Sequence, residues 1–117
     1  MEWIELNSNA EFENALVASE NSPIVIFKHS SVCSLSSVAL SKLERSWKED
    51  EMAGVRFYFL SVVANRDLCR HIQEVMNVRH ESPQILLVRQ GQCTYNTSHW
   101  AISYEKLRNE IGAFSAA

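Results

Sequence analysis

The chain has 117 residues, 46% of them apolar, and a formal net charge of −3. That length predicts one domain over residues 1–117, large enough for a few helices on one sheet. The mild negative charge supplies no basic field for nucleic acid, and no apolar run nears the roughly 20 residues that cross a membrane.

The first residues do not have the charged-then-apolar form of a secretion signal. The three cysteines, Cys33, Cys69 and Cys93, lie 36 and 24 residues apart, a spacing that fits no short zinc pattern. Together these point to a reducing, cytoplasmic setting, where a cysteine is free, catalytic or inert packing.

Met1 to Leu6 alternates loosely and predicts a short edge strand or an extended lead-in. Ser8 and Glu11 have the spacing of a capping box, and Phe12, Leu16 and Val17 follow at helical intervals, so a helix is expected over 9–20. Asn21-Ser22-Pro23 ends it. Ile24 to His29 is a buried strand by its β-branched, apolar run. Lys28 within it either adds positive charge near the next loop or points to solvent.

A helix is then expected from about 34 to 50, with Leu35, Ala39, Leu43 and Trp47 on one face, Leu40 beside it, and Glu44 able to pair with Lys48. Gly54 breaks the chain. Val55 to Val63 is apolar on both alternating faces, as a strand covered on both sides would be. Asn65 is placed to cap a helix over 66–76 with Leu68, Ile72, Val75 and Met76 inward. Ile85 to Val88 forms a further strand after Pro83. Gln90-Gly91 signals a hairpin, and Gln92 to Asn96 returns antiparallel. Ser103 caps a last helix that buries Tyr104, Leu107, Ile111 and Phe114.

The order (β)αβαβαββα implies parallel crossovers closed by an antiparallel hairpin. The expected fold class is α/β and thioredoxin-like: a central mixed sheet of four or five strands with helices on both faces.

The chemistry centres on Cys33. It follows a strand end and stands at the start of a helix, among Ser30, Ser31, Ser34 and Ser36. Unpaired N–H groups and the positive end of the helix dipole both favour a thiolate there, and the thiolate is the reactive form. Packing as a small apolar side chain is the bland alternative, and the serine-rich surroundings disfavour it. Cys33-Ser34-Leu35-Ser36 puts serine where a dithiol motif carries its resolving cysteine, so a mixed disulfide on Cys33 must be resolved from outside. Ser34 and Ser36 either donate to the thiolate or only serve the helix start. Cys69 and Cys93 are packing residues or bystanders on this reading, with an internal resolver as the lesser alternative.

The strand, the Cys-x-x-Ser helix start and the later Ser82-Pro83 before a strand resemble thioredoxins and monothiol glutaredoxins. The strings Lys28-His29-Ser30-Ser31-Val32-Cys33, His80-Glu81-Ser82-Pro83-Gln84 and Thr97-Ser98-His99-Trp100 together resemble the monothiol bacilliredoxins, general stress proteins of the bacillithiol redox system. The resemblance covers essentially the whole chain. It implies a thioredoxin fold, Cys33 as the attacking thiol, and a cis peptide at Pro83 with Ser82 as a small polar wall beside it. It also implies removal of bacillithiol from mixed disulfides on client proteins.

Thioredoxins carry a buried acid six residues before the nucleophile. Phe27 stands there and moves no protons, which argues against a general disulfide reductase. His29 and His99 flank the proposed site, each either stabilising the thiolate or serving as a hydrogen-bonded structural residue. Trp100 either stacks on a substrate or covers the core.

The expected partners are S-thiolated client proteins and a low-molecular-weight thiol. No bound cofactor is expected, and no metal, since one cysteine supplies too few of the four thiolates an iron–sulfur cluster takes. The rival class is a non-catalytic thioredoxin-fold adaptor or stress protein that uses the Cys33 loop as a binding surface.

Overall fold

The computed structural model describes the backbone over residues 1–115 and side chains through 112. The elements run β1 (Ile4–Glu5), α1 (Asn9–Ala18), β2 (Ile24–His29), α2 (Ser34–Ser46), a 3₁₀ turn (Glu49–Met52) and β3 (Arg56–Ser61). Then follow α3 (Arg66–Met76), β4 (Gln84–Arg89), β5 (Gln92–Ser98), a second 3₁₀ turn (His99–Ala101) and α4 (Tyr104–Ser115). The five strands form one sheet in the order β1-β3-β2-β4-β5. β1 and β2 each run parallel to β3, while β4 runs antiparallel to both β2 and β5. The expected class is therefore present, with one difference: the connection through α3 leads to a strand that reverses direction, so it is no parallel crossover.

Period-two alternation along the strands divides the interior into two cores. Ile24, Ile26, Tyr58, Leu60, Leu86 and Val88 face α1 and α3, where Phe12, Leu68, Ile72 and Met76 meet them. Val25, Phe27, Phe57, Ile85 and Leu87 face α2 and α4, where Ala39, Leu43, Leu107 and Ile111 pack.

The helix starts follow local chemistry. Ser8 Oγ accepts the Glu11 N–H at 3.1 Å, and Glu11 reaches back to accept the Asn7 N–H at 2.7 Å. Ser103 Oγ accepts the Lys106 N–H at 3.3 Å. Asn65 stands at the start of α3, but its amide donates instead to Ser61 O at 3.0 Å and to Asn7 Oδ1 at 3.2 Å, tying α3 to β3 and to the lead-in to α1. Gln90 and Gly91 both take positive φ, 51° and 74°, as a tight hairpin requires.

Several expected details change. α1 ends at Ala18, and its inward face is Phe12 and Ala15, with Ser19 buried at the cap beyond it and Val17 left exposed. Val75 is likewise exposed on α3, where Cys69 takes an inward place. α2 stops at Ser46, because Trp47 turns to extended backbone and packs edge-on against Phe57 with centroids 4.3 Å apart. Lys48 thus leaves the helix before it can pair with Glu44. The acidic run that follows forms its own turn, and Glu51 there accepts the Tyr104 hydroxyl at 2.7 Å. β5 extends two residues past Asn96, to Ser98. Phe114 lies outside the described side chains.

Candidate active site

Strand register assembles the site. Lys28 pairs with Gln84, and Gln84 with Ser98, so the end of β2, the start of β4 and the end of β5 lie at one end of the sheet. His29 pairs with Ser61 on the other side, and its carbonyl accepts the Val62 N–H at 2.8 Å. The Cys33 loop, the Ser82-Pro83 peptide and His99 therefore share one end of the molecule. The Ser82-Pro83 peptide bond is cis. The Pro83 carbonyl accepts the His99 N–H at 3.0 Å, and the turn carrying His99 packs on α2.

Cys33 occupies the N-cap of α2, half-buried, and its carbonyl accepts the Ser36 and Ser37 N–H groups at 3.1 and 3.4 Å. The N–H groups of Ser34 and Leu35 have no earlier turn to bond to. The Cys33 side chain makes no capping hydrogen bond, so these donors stay open at the positive end of the helix dipole, beside the cysteine. Ser34 is exposed, and Val32, just before the cysteine, is 82% exposed.

Ser36 holds the loop. It is fully buried, its Oγ accepts the Ser30 N–H at 3.0 Å, and it lies 2.8 Å from His29 Nδ1. It therefore anchors the Ser30–Cys33 turn to α2, a role different from both of those expected of it, donation to the thiolate and capping of the helix. Burial lowers the His29 pKa, and the ring packs on Phe59 with centroids 5.3 Å apart. His29 is thus a hydrogen-bonded partner of Ser36, in surroundings that disfavour the imidazolium.

His99 takes a left-handed backbone, φ 56°, and its Nε2 lies 3.5 Å from Glu81 Oε2. Sequence reading missed Glu81, whose carboxylate also meets Arg79 at 3.7 Å. It adjoins Ser82, which is half-buried. Trp100 does not cover the core: it is 75% exposed on the turn beside α2.

Lys28 does not point to solvent. Alternation puts it with Ile24 and Ile26 on the α3 face, fully buried, with Nζ 3.2 Å from His80 Nδ1. Burial lowers its pKa to about 8. Cys69 lies on this same face in the α1–α3 core, so the sheet separates it from α2. Cys93 pairs with Val88, and Val88 with Ile24, the far end of β2 from His29 and about 17 Å along the strand. Burial pushes both thiols up. Neither is placed to resolve a disulfide on Cys33.

A groove of about 690 Å³, lined by Ser46, Trp47, Tyr104 and Arg108, lies at the opposite end of α2 from the cysteine. Among the described residues, no group of three or more His, Cys, Asp or Glu side chains converges as a metal site, and no helix is long and apolar enough to cross a membrane.

A helix-capping cysteine beside a cis-proline strand start, on this sheet order, defines a thioredoxin-fold protein of the thiol-redox class. Solved structures agree on the fold. One described as a candidate oxidoreductase with a thioredoxin fold is 32% identical, with 91% of this chain and 90% of that chain covered and a TM-score of 0.76. Thioredoxins from Trypanosoma brucei brucei (16% identity, 99% and 93% covered, TM-score 0.76) and Fasciola hepatica (19%, 93% and 96%, 0.71) share the fold at lower identity. The family model described as monothiol bacilliredoxin BrxC matches residues 4–107, and the chain belongs to that family.

Proposed function

We propose that the protein removes a low-molecular-weight thiol, bacillithiol by family resemblance, from mixed disulfides on client proteins in the cytoplasm. The Cys33 thiolate attacks the small-thiol sulfur of the mixed disulfide. A disulfide forms between Cys33 and the small thiol, and the client leaves as a thiolate that takes up a proton. A molecule of the free thiol then attacks the adduct, so that Cys33 returns to the thiolate and the two small thiols leave joined as a disulfide; when another redoxin attacks instead, the small thiol leaves Cys33 as a mixed disulfide with that redoxin. Sulfurs and electrons balance over the two exchanges, and no bound cofactor is needed.

The observation that carries this reading is the position of Cys33: half-exposed at the N-cap of α2, with buried Ser36 where a resolving thiol would stand. Ser34, Ser82, Pro83, His99 and Trp100 frame the approach. His99, held by Glu81, is the side chain we assign to protonate the departing client thiolate.

The test loads a reporter protein with bacillithiol and follows its release. Wild type accelerates release and Cys33→Ser does not. Equal rates would instead support a non-catalytic adaptor, the reading that the exposed Val32 and Trp100 side chains favour.

A further inference from the structure

A second set of groups at the same end of the sheet belongs to the opposite face. Arg66, Cys69, Arg70 and Gln73 of α3, with Val62 after β3 and His80 before β4, surround a cavity of about 280 Å³. That equals the volume of about nine waters at their liquid density. No carboxylate is among these residues. Arg66 and Arg70 stand one helical turn apart and are exposed enough to swing over the opening. Arg70 meets Asp67 at 3.4 Å in a pair exposed on both sides, which water screens and which yields readily. Gln73 Oε1 accepts the His80 N–H at 2.6 Å and fixes the loop, which leaves the Gln73 amide N–H groups free to donate.

Solvated arginines on a helix are ordinary. Lys28 behind them is not. It is 0% exposed, and its Nζ meets His80 Nδ1 at 3.2 Å. Among the described residues no carboxylate lies within ion-pair distance of it. Glu81, a carboxylate in its electrostatic surroundings, is engaged by Arg79 and His99. The Cys69 and Cys93 thiols are pushed up by burial and stay neutral, so neither supplies the counter-charge. A buried cation without an anion is costly. When Lys28 donates to His80 Nδ1, the proton of that neutral ring sits on Nε2, adding one more donor to the cavity wall.

We propose that this cavity binds a small oxyanion of two or more negative charges, a phosphate or a compact dicarboxylate, clasped by Arg66 and Arg70 against His80. Guanidinium forks match both head groups. The bound anion gives Lys28 the charge partner that the protein lacks. The inference stands apart from the thiol chemistry of Cys33.

The experiment titrates isotope-labelled full-length protein with inorganic phosphate and, separately, with succinate, sodium chloride holding the ionic strength constant. The expected result is saturable movement of the Arg66 and Arg70 Nε and His80 ring signals, together with an upward shift of the Lys28 amine titration. Arg66→Gln/Arg70→Gln, changed only at exposed positions, should bind about tenfold more weakly or worse, the loss of roughly one charge-assisted contact or more. Lys28→Met should also weaken binding, with both arginines intact. Tighter binding of one probe identifies its head group, and saturation by either supports the site. Shifts that do not saturate, shifts unchanged in the double variant, or an unmoved Lys28 titration would overturn the proposal.

Discussion

The two faces of the sheet around β2 solve opposite problems within five residues of one another, from Lys28 to Cys33. On the α2 face, Ser36 and His29 brace the loop from below, and Cys33 stands half-open at a helix start. On the α3 face, Lys28 and Cys69 are sealed, and burial drives both toward their neutral forms. A charge-bearing residue is reactive or silent according to the donors and water it meets: strand alternation decides this for Lys28 and His29, and helix position decides it for Cys33 and Cys69.

The largest break in this contrast comes from the cysteines. Cys33→Ser should abolish release of the small thiol, while Cys69→Ser and Cys93→Ser should keep it near wild type, as measured by release from a loaded reporter. Loss of activity in either of the latter would place a resolver where the sheet register does not.

Ser36 tests what braces the open side. Ser36→Ala orphans the Ser30 N–H and should destabilise the fold by about 1–3 kcal/mol in urea unfolding. Ser36→Cys should instead create a dithiol. Positions three apart at a helix start fall within the roughly 7 Å that a disulfide spans, so oxidation should remove about two mass units by intact mass spectrometry.

Lys28 tests the sealed side. Its amine titrates near pH 8 when folded against 10.5 ordinarily. Between those values the unfolded chain holds a proton that the folded one has lost, so this group makes stability rise with pH through that window. Below pH 8 both states are protonated and the burial penalty is complete. The difference in unfolding free energy between wild type and Lys28→Met should therefore change between pH 8 and 10.5, and a flat difference would contradict the assignment.

Trp100→Ala should have the smallest effect on the fold, within about 0.5 kcal/mol for so exposed a side chain. If Trp100 contacts clients, exchange with a loaded protein should slow while exchange with the oxidised small thiol should not.

Much of this arrangement was legible in the residues. The strand, the capping cysteine and the Ser82-Pro83 strand start each carry local chemistry that travels with the sequence. Lys28 and Trp100 were not, because each residue's exposure depends on partners distant in the chain. Lys28 is sealed by α3 and the His80 loop, and Trp100 stands outside the contact between its turn and α2. The reversal of β4 was hidden for the same reason, since pairing direction is set by the assembled sheet. Glu81 gave no sign because its partner His99 lies beyond the hairpin. Helix faces failed only at their margins: Val17 and Val75 fit the helical period, but Ala15 and Cys69 hold the inward positions.

The most direct measurement is the mass and position of the adduct formed when wild-type protein meets a bacillithiol-loaded client under conditions that trap disulfides. A peptide containing Cys33, heavier by the small thiol less two hydrogens, is the predicted result. An adduct confined to Cys69 or Cys93, or an unmodified Cys33 while release proceeds, would contradict the account.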